Sequence, residues 1–241
     1  MTGAASGIGL AVAEMLLARH PRVSIGMIDL AEGAMAEFAA RHPGRVTTAR
    51  CDVGQQAEAH AAVKAVAGKR AVTGLVCAAG ILRSRASIDM TDTEWRAVIG
   101  AHLDGSFFVA QAAARLMIER GTAASIVFFA SVAMDFGWPA RLPYAVSKAG
   151  IGALTRTLAV EWAEHDIRVN AVAPGYVNTP MVRDAVAAGV FDGKARAEGH
   201  ALKRFAEPNE IAEVVEFLLS GRASFMTGEI VRVDGGFSVT K

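Results

Sequence analysis

Six short runs rich in β-branched residues alternate along this chain with longer segments rich in Ala, Leu and Glu. The runs, predicted as strands, are Arg22–Ile28, Arg45–Arg50, Val72–Cys77, Ser125–Ala130, Ile167–Val172 and Glu229–Val233. The longer segments, predicted as helices, are Ile8–His20, Gly33–Arg41, Gln55–Ala67, Thr93–Arg120, Pro143–His165 and Pro208–Leu219. This alternation favours a parallel sheet covered by helices on both faces. We therefore predict an α/β, doubly wound, three-layer αβα fold, with residues 1–241 as a single domain.

Composition excludes several classes of protein. Hydrophobic residues make up 52% of the chain and charged residues 20%, a balance unlike that of disordered chains. The net charge is +1 and no basic run exceeds Lys69-Arg70, which argues against a nucleic-acid or membrane-surface binder. No apolar stretch approaches the roughly 20 residues of a membrane span, and no secretory signal precedes the first helix. Two cysteines do not make a disulfide scaffold, so we expect a cytoplasmic protein.

The chain begins inside a glycine-rich turn, at Met1-Thr2-Gly3, with no strand before it. In a doubly wound sheet this turn follows the first, central strand. We interpret Met1 as a mis-assigned start, a GTG valine codon read as initiator, and expect several more apolar residues upstream. The alternative is a chain that folds without its central strand and leaves backbone groups of the neighbouring strands unpaired.

The glycine-rich turn is a candidate phosphate-binding loop. Its pattern, Gly-x-x-x-Gly-x-Gly, permits a sharp turn and a close backbone approach to a pyrophosphate. The helix that follows offers free N–H groups and partial positive charge. The predicted cofactor contacts of this turn are Gly3, Ser6, Gly7, Ile8 and Gly9. Alone, the pattern is weak, because glycine-rich turns are common in structural roles.

Asp29 strengthens this interpretation. It ends the first predicted strand, 20 residues after Gly9, where a carboxylate accepts hydrogen bonds from adenosine ribose hydroxyls. The alternative role is an N-cap of the next helix. A carboxylate here repels a 2′-phosphate, and Ser6 and Leu30 stand where a basic residue would receive one. The sequence therefore predicts NAD rather than NADP, with Leu30 as a further contact.

Two more strand ends supply candidate cofactor contacts. Asp52 and Val53 follow the second predicted strand and are assigned to the adenine side; for Asp52, a turn or helix cap is nearly as good an interpretation. The next strand ends in small residues that would let a cofactor lie against backbone, although such ends are often simple turns: Cys77, Ala78, Ala79 and Gly80.

A tyrosine and a lysine one helical turn apart are the candidate catalytic pair. Ser131 follows a buried strand, and Tyr144 and Lys148 lie 13 and 17 residues later at a helix start, on one helix face. A phenol has a pKa of about 10, and an ammonium about 4 Å away would favour the phenolate by about 4 kcal/mol at an effective dielectric of 20. Tyr144 would then take the hydroxyl proton, and Ser131 would hold the substrate oxygen. Tyr144 and Lys148 are also predicted to contact the cofactor. Taken without the other motifs, the pair would be interpreted as a structural tyrosine and a solvated lysine.

Together these motifs resemble the short-chain dehydrogenase/reductase family over essentially the whole chain. Thr2–Gly9 matches its glycine motif, and Ser131, Tyr144 and Lys148 match its catalytic trio. Asp234-Gly235-Gly236 matches its C-terminal signature. The resemblance implies a Rossmann-like sheet of seven strands in the order 3-2-1-4-5-6-7, here with the first strand truncated. It also implies a homo-oligomer, usually a tetramer, with a dimer as the alternative.

Two further segments take their roles from this resemblance. Residues 174–179 match the family's nicotinamide-binding segment, which implies contacts by Pro174, Gly175, Val177 and Thr179. Cys77 and His102 stand where the family commonly has Asn; His102 either joins the proton relay to Lys148 or blocks it. In the implied strand order Cys51 and Cys77 lie about 14 Å apart, so we predict no disulfide.

The substrate side is expected to come from Arg83–Ile88, Val132–Leu142 and the stretch after Thr179. Bulky residues in these loops, namely Met134, Phe136 and Trp138, suggest a partly apolar substrate or packing against residues 181–204. That later stretch, with its three glycines, is a candidate lid. Arginines at 83, 85 and 141 would meet an acidic group of a substrate or remain solvated.

These observations favour an NAD-dependent dehydrogenase that interconverts a secondary alcohol and a ketone. We predict a small-molecule substrate, no metal, and no nucleic-acid or membrane partner. Within the same family, the alternative is an NADPH-dependent 3-oxoacyl-carrier-protein reductase, against which Asp29 argues. From another class, the alternative is a catalytically silent nucleotide-binding or regulatory protein, motivated by the absent first strand, Cys77 and His102.

Overall fold

Six parallel strands form the centre of the computed structural model, which describes residues 1–240. They are β1 (Ile25–Asp29), β2 (Val46–Arg50), β3 (Gly74–Cys77), β4 (Ala124–Phe129), β5 (Ile167–Pro174) and β6 (Ile230–Val233). Two hydrogen-bonded groups result, β1 with β2 and β3-β4-β5-β6 in that order, and every pairing is parallel. All six predicted strands are found, with starts displaced by up to three residues.

Met1 and Thr2 join the two groups of strands. Thr2 forms parallel bridges to Ile28 on β1 and to Cys77 on β3. Its N–H donates to the Val76 carbonyl at 2.9 Å, and the Ile28 N–H donates to the Met1 carbonyl at 2.8 Å. The resulting order, β2-β1-Thr2-β3-β4-β5-β6, is the one that the family resemblance implies.

Two cavities of about 380 and 290 Å³ border the amino-terminal parts of β1 and β3, and both are lined by Met1, Gly26 and Gly74. The expectation of further apolar residues upstream stays a prediction.

Nine helices surround the strands within residues 1–240. They are α1 (Gly7–Arg19), α2 (Glu32–Arg41), α3 (Gln56–Ala67), α4 (Asp92–Ile99), α5 (Gly105–Glu119), α6 (Leu142–Glu161), α7 (Pro180–Ala187), α8 (Gly193–Glu198) and α9 (Pro208–Leu219). Successive β4 residues face opposite layers: Ile126 and Phe128 pack among α3, α5 and α6, whereas Val127 and Phe129 pack among α1 and α9. This burial on both faces is the reason that the strands read as continuous apolar runs.

The prediction of one continuous helix over Thr93–Arg120 is wrong, because the helix is interrupted. A turn of π-helix, Gly100–Asp104, separates α4 from α5. A side chain at Gly105 would lie 2.6 Å from Val53 Cγ2, so the helix passes closely over the loop after β2. A single inserted residue of this kind widens a helix locally and is common at functional sites. At the start of α4, Thr91 and Glu94 form a capping box.

Two short helices, α7 and α8, were not predicted. They lie in the stretch expected to form a lid. Thr179 and Asp192 cap them: Thr179 Oγ1 accepts from the Val182 N–H, and Asp192 Oδ1 accepts from two N–H groups of α8. Cap residues followed by Pro180 or by a helix-forming run were the available sequence signal.

No helix within residues 1–240 combines the length and the apolar character that crossing a membrane requires. Cys51 and Cys77 are both buried and unpaired, which agrees with the prediction of no disulfide.

Candidate active site

A cleft of about 320 Å³ runs across the carboxyl ends of the strands, where ligands bind in open α/β sheets. The structure places all of the predicted site residues except Cys77 along it: Gly3, Ser6, Gly7, Ile8, Gly9, Asp29, Leu30, Asp52, Val53, Ala78, Ala79, Gly80, His102, Ser131, Tyr144, Lys148, Pro174, Gly175, Val177 and Thr179. Other residues also line the cleft, among them Cys51, Ile81 and Phe129, which were not predicted, and Met181, which belongs to the predicted substrate stretch after Thr179. The first three border predicted segments, so strand-end position was the signal that could have found them.

Cys77 needs a correction. Its side chain is buried against the α5 layer, and its Sγ lies 3.9 Å from the Ser106 carbonyl, to which the thiol donates. Burial raises the pKa of Cys77 to about 12. Because side chains alternate across a strand, the thiol at this position faces the helices and stabilises the sheet, while the cleft is lined by Ala78 and the residues after it.

The glycine turn has the close geometry that its sequence predicts. Gly3 has φ of +60°, and a Cβ there would lie 2.6 Å from the Ala78 and Ala79 backbone. A Cβ on Gly9 would lie 2.1 Å from the Gly3 carbonyl oxygen. Side chains at these positions would collide with neighbouring backbone. Because both residues are glycine, the turn stays tight and its backbone can lie directly against a pyrophosphate.

The start of α1 is open to that cradle. Its N-cap, Ser6, has an extended backbone and makes no side-chain cap hydrogen bond. The first helical hydrogen bond runs from the Leu10 N–H to the Ser6 carbonyl at 3.1 Å, so the N–H groups before Leu10 in this helix are free for an anion.

Asp29 links the end of β1 to the glycine turn. Its Oδ2 accepts from the Ala5 N–H at 3.1 Å and its Oδ1 accepts from the Ala31 N–H at 3.1 Å. The N-cap of α2 is Ala31, so the alternative role of Asp29 as a helix cap is wrong. Asp52 caps a turn, since its Oδ1 accepts from the Gly54 N–H at 3.0 Å, and it also lines the cleft; its place on the adenine side stays a prediction.

Tyr144 and Lys148 lie on one face of α6, beside Ser131 at the end of β4. The helix begins just before Tyr144 with Pro143 in its first turn, where a missing N–H costs nothing. Lys148 is buried, and its Nζ donates to the Phe129 carbonyl at 2.6 Å and lies 5.6 Å from the Tyr144 ring centroid. Ser131 Oγ accepts from the Ala133 N–H at 3.2 Å.

The expected effect of Lys148 on Tyr144 needs a correction for the protein alone. Burial raises the pKa of Tyr144 above its ordinary value, and hydrogen bonding with Ser131 and the charge of Arg141 oppose the rise. Burial also lowers the pKa of Lys148 to about 7. Desolvation therefore outweighs the attraction between ammonium and phenolate. The short hydrogen bond of Lys148 goes to the Phe129 backbone carbonyl. At neutral pH the phenol keeps its proton.

His102 is buried in the π-helical turn, against the tyrosine. Its ring meets the Tyr144 ring edge-on, with centroids 5.3 Å apart. Nε2 lies 3.0 Å from the Ile81 nitrogen and 2.8 Å from its oxygen, whereas the buried Nδ1 has no partner in residues 1–240. Burial and the charge of Lys148 lower the pKa of His102 to about 3. His102 is therefore neutral, and a role in proton relay remains a prediction that needs a neutral imidazole.

A second cavity, of about 100 Å³, opens beside the catalytic pair. It shares Ser131, Tyr144, Gly175, Met181 and Val182 with the cleft, and its other walls are Leu82, Val132, Ala133, Trp138, Arg141, Tyr176 and Phe191. Two of the three predicted substrate segments contribute, but Arg83–Ile88 does not. Within that segment, Arg85 pairs with Glu94 at 2.7 Å. Of the bulky loop residues, only Trp138 reaches this cavity.

Replacing Lys148 by Met should change stability in opposite directions at low and high pH. The folded pKa of about 7 lies below the unfolded value of 10.5, so burying the charge costs most below pH 7, on the order of 5 kcal/mol. This cost fades as pH rises towards 10.5. The variant loses the hydrogen bond to Phe129, a cost of about 1–3 kcal/mol at every pH.

The net gain at pH 6 is about 2–4 kcal/mol, so we expect Lys148→Met to raise Tm by about 4–16 °C at pH 6 and to lower it near pH 10, measured by thermal unfolding. Lys64→Met is the matched control, since Lys64 lies exposed on α3. A Tm change independent of pH would contradict the buried charge.

Comparisons with known proteins agree with this geometry. A family model described as enoyl-(acyl carrier protein) reductase matches residues 3–238. The cis-4-hydroxycyclohexanecarboxylate dehydrogenase of Sinomonas cyclohexanicum is 40% identical over 243 residues, which cover 99% of this chain and 95% of the relative. The 3-oxoacyl-(acyl-carrier-protein) reductase of Thermotoga maritima is 36% identical over 244 residues, with 99% and 96% covered.

A solved structure is similar over the same extent. It is a gluconate 5-dehydrogenase from Burkholderia cenocepacia J2315 in complex with NADP and tartrate, with a TM-score of 0.90 and 31% identity, and the match covers 99% of this chain and 93% of that one. A family model that spans nearly the whole chain, together with relatives of this identity, leads to one conclusion: the chain belongs to the short-chain dehydrogenase/reductase family.

Proposed function

We propose that this oxidoreductase interconverts a secondary alcohol and a ketone with NAD(H), and that Tyr144 is its acid–base group. One observation carries the proposal: Tyr144, Lys148 and Ser131 line the same cleft as the glycine turn and Asp29. The relative from Sinomonas cyclohexanicum is named as a dehydrogenase of a ring alcohol, which supports the same type of reaction here.

The residues of the cleft divide into two groups for binding a nicotinamide dinucleotide. The glycine turn and the start of α1 would hold the pyrophosphate, and Asp29 would accept hydrogen bonds from the adenosine ribose. Pro174, Gly175, Val177 and Thr179, at the end of β5, would hold the nicotinamide side. When bound, the dinucleotide supplies or accepts the hydride.

In ketone reduction, Tyr144 donates its phenolic proton to the carbonyl oxygen. Its raised pKa keeps that proton available at neutral pH. Ser131 donates a hydrogen bond to the same oxygen and stabilises its developing charge. Lys148, when protonated, stabilises the phenolate that remains. In alcohol oxidation the phenol must first lose its proton, so the oxidation rate should rise with pH.

NAD is the proposed cofactor. The Asp29 carboxylate would lie beside the adenosine ribose and repel the 2′-phosphate of NADP, and Lys148, beside Tyr144, is the one Lys or Arg that lines the cleft within residues 1–240. The competing candidate is an NADPH-dependent 3-oxoacyl-carrier-protein reductase, which the Thermotoga maritima relative favours. The gluconate 5-dehydrogenase structure in complex with NADP favours the same cofactor.

The test is an initial-rate assay with NAD⁺ and NADP⁺ on a panel of secondary alcohols, and with NADH and NADPH on the matching ketones and a 3-oxoacyl thioester. We expect turnover with NAD(H) and a preference for it of at least about a hundredfold. A preference for NADPH with the thioester would select the competing candidate, and no turnover of any substrate would reject the proposed activity.

We also propose that the enzyme is a cytoplasmic homo-oligomer, a tetramer rather than a dimer. Exposed apolar side chains such as Val160 on α6 and Phe225 before β6 support self-association. Sedimentation equilibrium distinguishes a tetramer from a dimer and from a monomer.

A further inference from the structure

The cavity beside Tyr144 has apolar walls and one charged side chain. Trp138, Tyr176 and Phe191 form its aromatic part. No Asp or Glu is among its lining residues within the described chain, and Arg141 is the one Lys or Arg among them. A lone cation in an apolar pocket favours an anionic ligand, because an unpaired partly buried charge is costly.

The guanidinium of Arg141 has no carboxylate partner. Its Cζ lies 5.5 Å from the Phe191 ring centroid, and within residues 1–240 the guanidinium makes neither an ion pair nor a hydrogen bond. Two arginines of other loops and strands are paired by contrast: Arg85 with Glu94, and Arg232 with Asp135. Arg141 lines the cavity, and within residues 1–240 the five N–H donors of its guanidinium are not engaged in hydrogen bonds.

A second donor in the same wall is also unused. The indole Nε1 of Trp138 is buried and has no hydrogen-bond partner in the part of the chain described. Leaving a buried N–H unpaired costs about 1–3 kcal/mol, and such groups call for a specific explanation in a native structure. An acceptor held between Trp138 and Arg141 would satisfy both residues.

We propose that the substrate of this site is a hydroxy acid or keto acid with a compact apolar body, whose carboxylate is bound by Arg141 and by the indole N–H of Trp138. The inference rests on the proposed function, since Tyr144 and Ser131 line the same cavity. A carboxylate pairs with guanidinium through two parallel hydrogen bonds. A cavity of about 150 Å³ accepts a six-membered ring, so a cavity of about 100 Å³ that continues into the open cleft suits an apolar body no larger than such a ring.

The first test compares matched substrates. Levulinate and 3-oxocyclohexanecarboxylate are each assayed beside their methyl esters, with cyclohexanone as a neutral reference. We expect kcat/KM for each acid to exceed that for its ester by about 30-fold, the range of one charge-assisted pair. Arg141→Gln should reduce this preference to about 1–3-fold, and Trp138→Phe should reduce it by about fivefold.

Arg196→Gln is the matched control. The Arg196 guanidinium lies 5.2 Å from the Trp138 ring centroid and 5.9 Å from that of Tyr176, in the same aromatic cluster, but Arg196 does not line the cavity. We expect this variant to keep the wild-type preference within about threefold. Loss of the preference in Arg196→Gln as well would mean that general packing of the cluster, and not a carboxylate contact, sets it.

The second test does not need turnover. Calorimetry of wild type with NAD⁺ should show that unreactive cyclohexanecarboxylate binds about 30-fold more tightly than cyclohexanecarboxamide, and that Arg141→Gln loses the difference. Equal rates for acids and esters, with cyclohexanone reduced, would overturn this inference and leave the dehydrogenase proposal intact. Selective carboxylate binding without turnover of any ketone would instead overturn the dehydrogenase proposal, and the carboxylate would then be a ligand and not a substrate. Should Arg141→Gln fail to fold, the wild-type comparisons and Arg141→Lys, which keeps charge without the planar fork, still decide the matter.

Discussion

Tyr144→Phe lowers kcat for ketone reduction by about a thousandfold, the expected loss when a general acid is removed. The substitution deletes only the hydroxyl and keeps the ring that packs edge-on against His102. Cofactor binding should therefore persist, and a fluorescence titration with NADH should give a dissociation constant within about threefold of wild type. The two measurements together separate a loss of the chemical step from a loss of cofactor binding.

The pH dependence of the wild-type enzyme gives the same prediction a second readout. Because burial raises the pKa of Tyr144, the phenol is protonated at neutral pH and ready to act as an acid. Alcohol oxidation needs the phenolate, so its kcat should rise with pH on the acid side of that pKa, whereas ketone reduction should fall only above it. An oxidation rate independent of pH from 6 to 9 would contradict Tyr144 as the base.

The chain offers one matched control for this substitution. Its only other tyrosine, Tyr176, lies on the wall of the neighbouring cavity. Tyr176→Phe removes the same hydroxyl from a residue without an acid–base role, and we expect its effect on kcat to stay below about tenfold. Retention of more than a tenth of wild-type kcat in Tyr144→Phe would reject the mechanism.

The positions of the site residues could be predicted from the sequence because each belongs to a strand end or a first helical turn. Alternation of strands and helices is enough to place the carboxyl ends of parallel strands along one edge. Asp29 and Ser131 follow directly from that placement, and Tyr144 and Lys148 follow from helical spacing. Their order along the chain made each weak motif more specific.

The energies of these groups could not be predicted in the same way. A pKa depends on how far each group is removed from water and on its hydrogen-bond partners, which spacing does not reveal. The hydrogen bond from Lys148 to the Phe129 carbonyl is a contact between distant parts of the chain. Likewise, only the folded structure distinguishes the paired Arg85 from the unpaired Arg141.

Removing the charge of Asp29 should change the choice of cofactor. In wild type we expect kcat/KM for NAD⁺ to exceed that for NADP⁺ by at least about a hundredfold. A carboxylate and a phosphate about 4 Å apart repel by about 4 kcal/mol for each pair of unit charges at an effective dielectric of 20, and solvent at this partly exposed site reduces that to about 1–3 kcal/mol. Asp29→Asn should therefore reduce the preference by about 10- to 100-fold.

Asn is the appropriate substitution because Asp29 also accepts hydrogen bonds from backbone N–H groups. Its two oxygens accept from the Ala5 and Ala31 N–H groups, and one amide oxygen preserves one of these contacts. Adding Leu30→Arg places a cation at an exposed position next to the phosphate, as Leu30 is 54% exposed. We expect the double variant to prefer NADP⁺.

Asp52→Asn controls for the loss of any carboxylate from the cleft. Asp52 lines the same cleft but engages the Gly54 N–H in a turn, so the ratio of kcat/KM values for the two cofactors should change by less than about threefold. An NADP⁺ preference in wild type, or an unchanged ratio in Asp29→Asn, would mean that the carboxylate at the end of β1 does not select the cofactor. The 2′-phosphate would then have to find its cation outside the cleft lining, because Lys148 lies at the opposite end, against Tyr144.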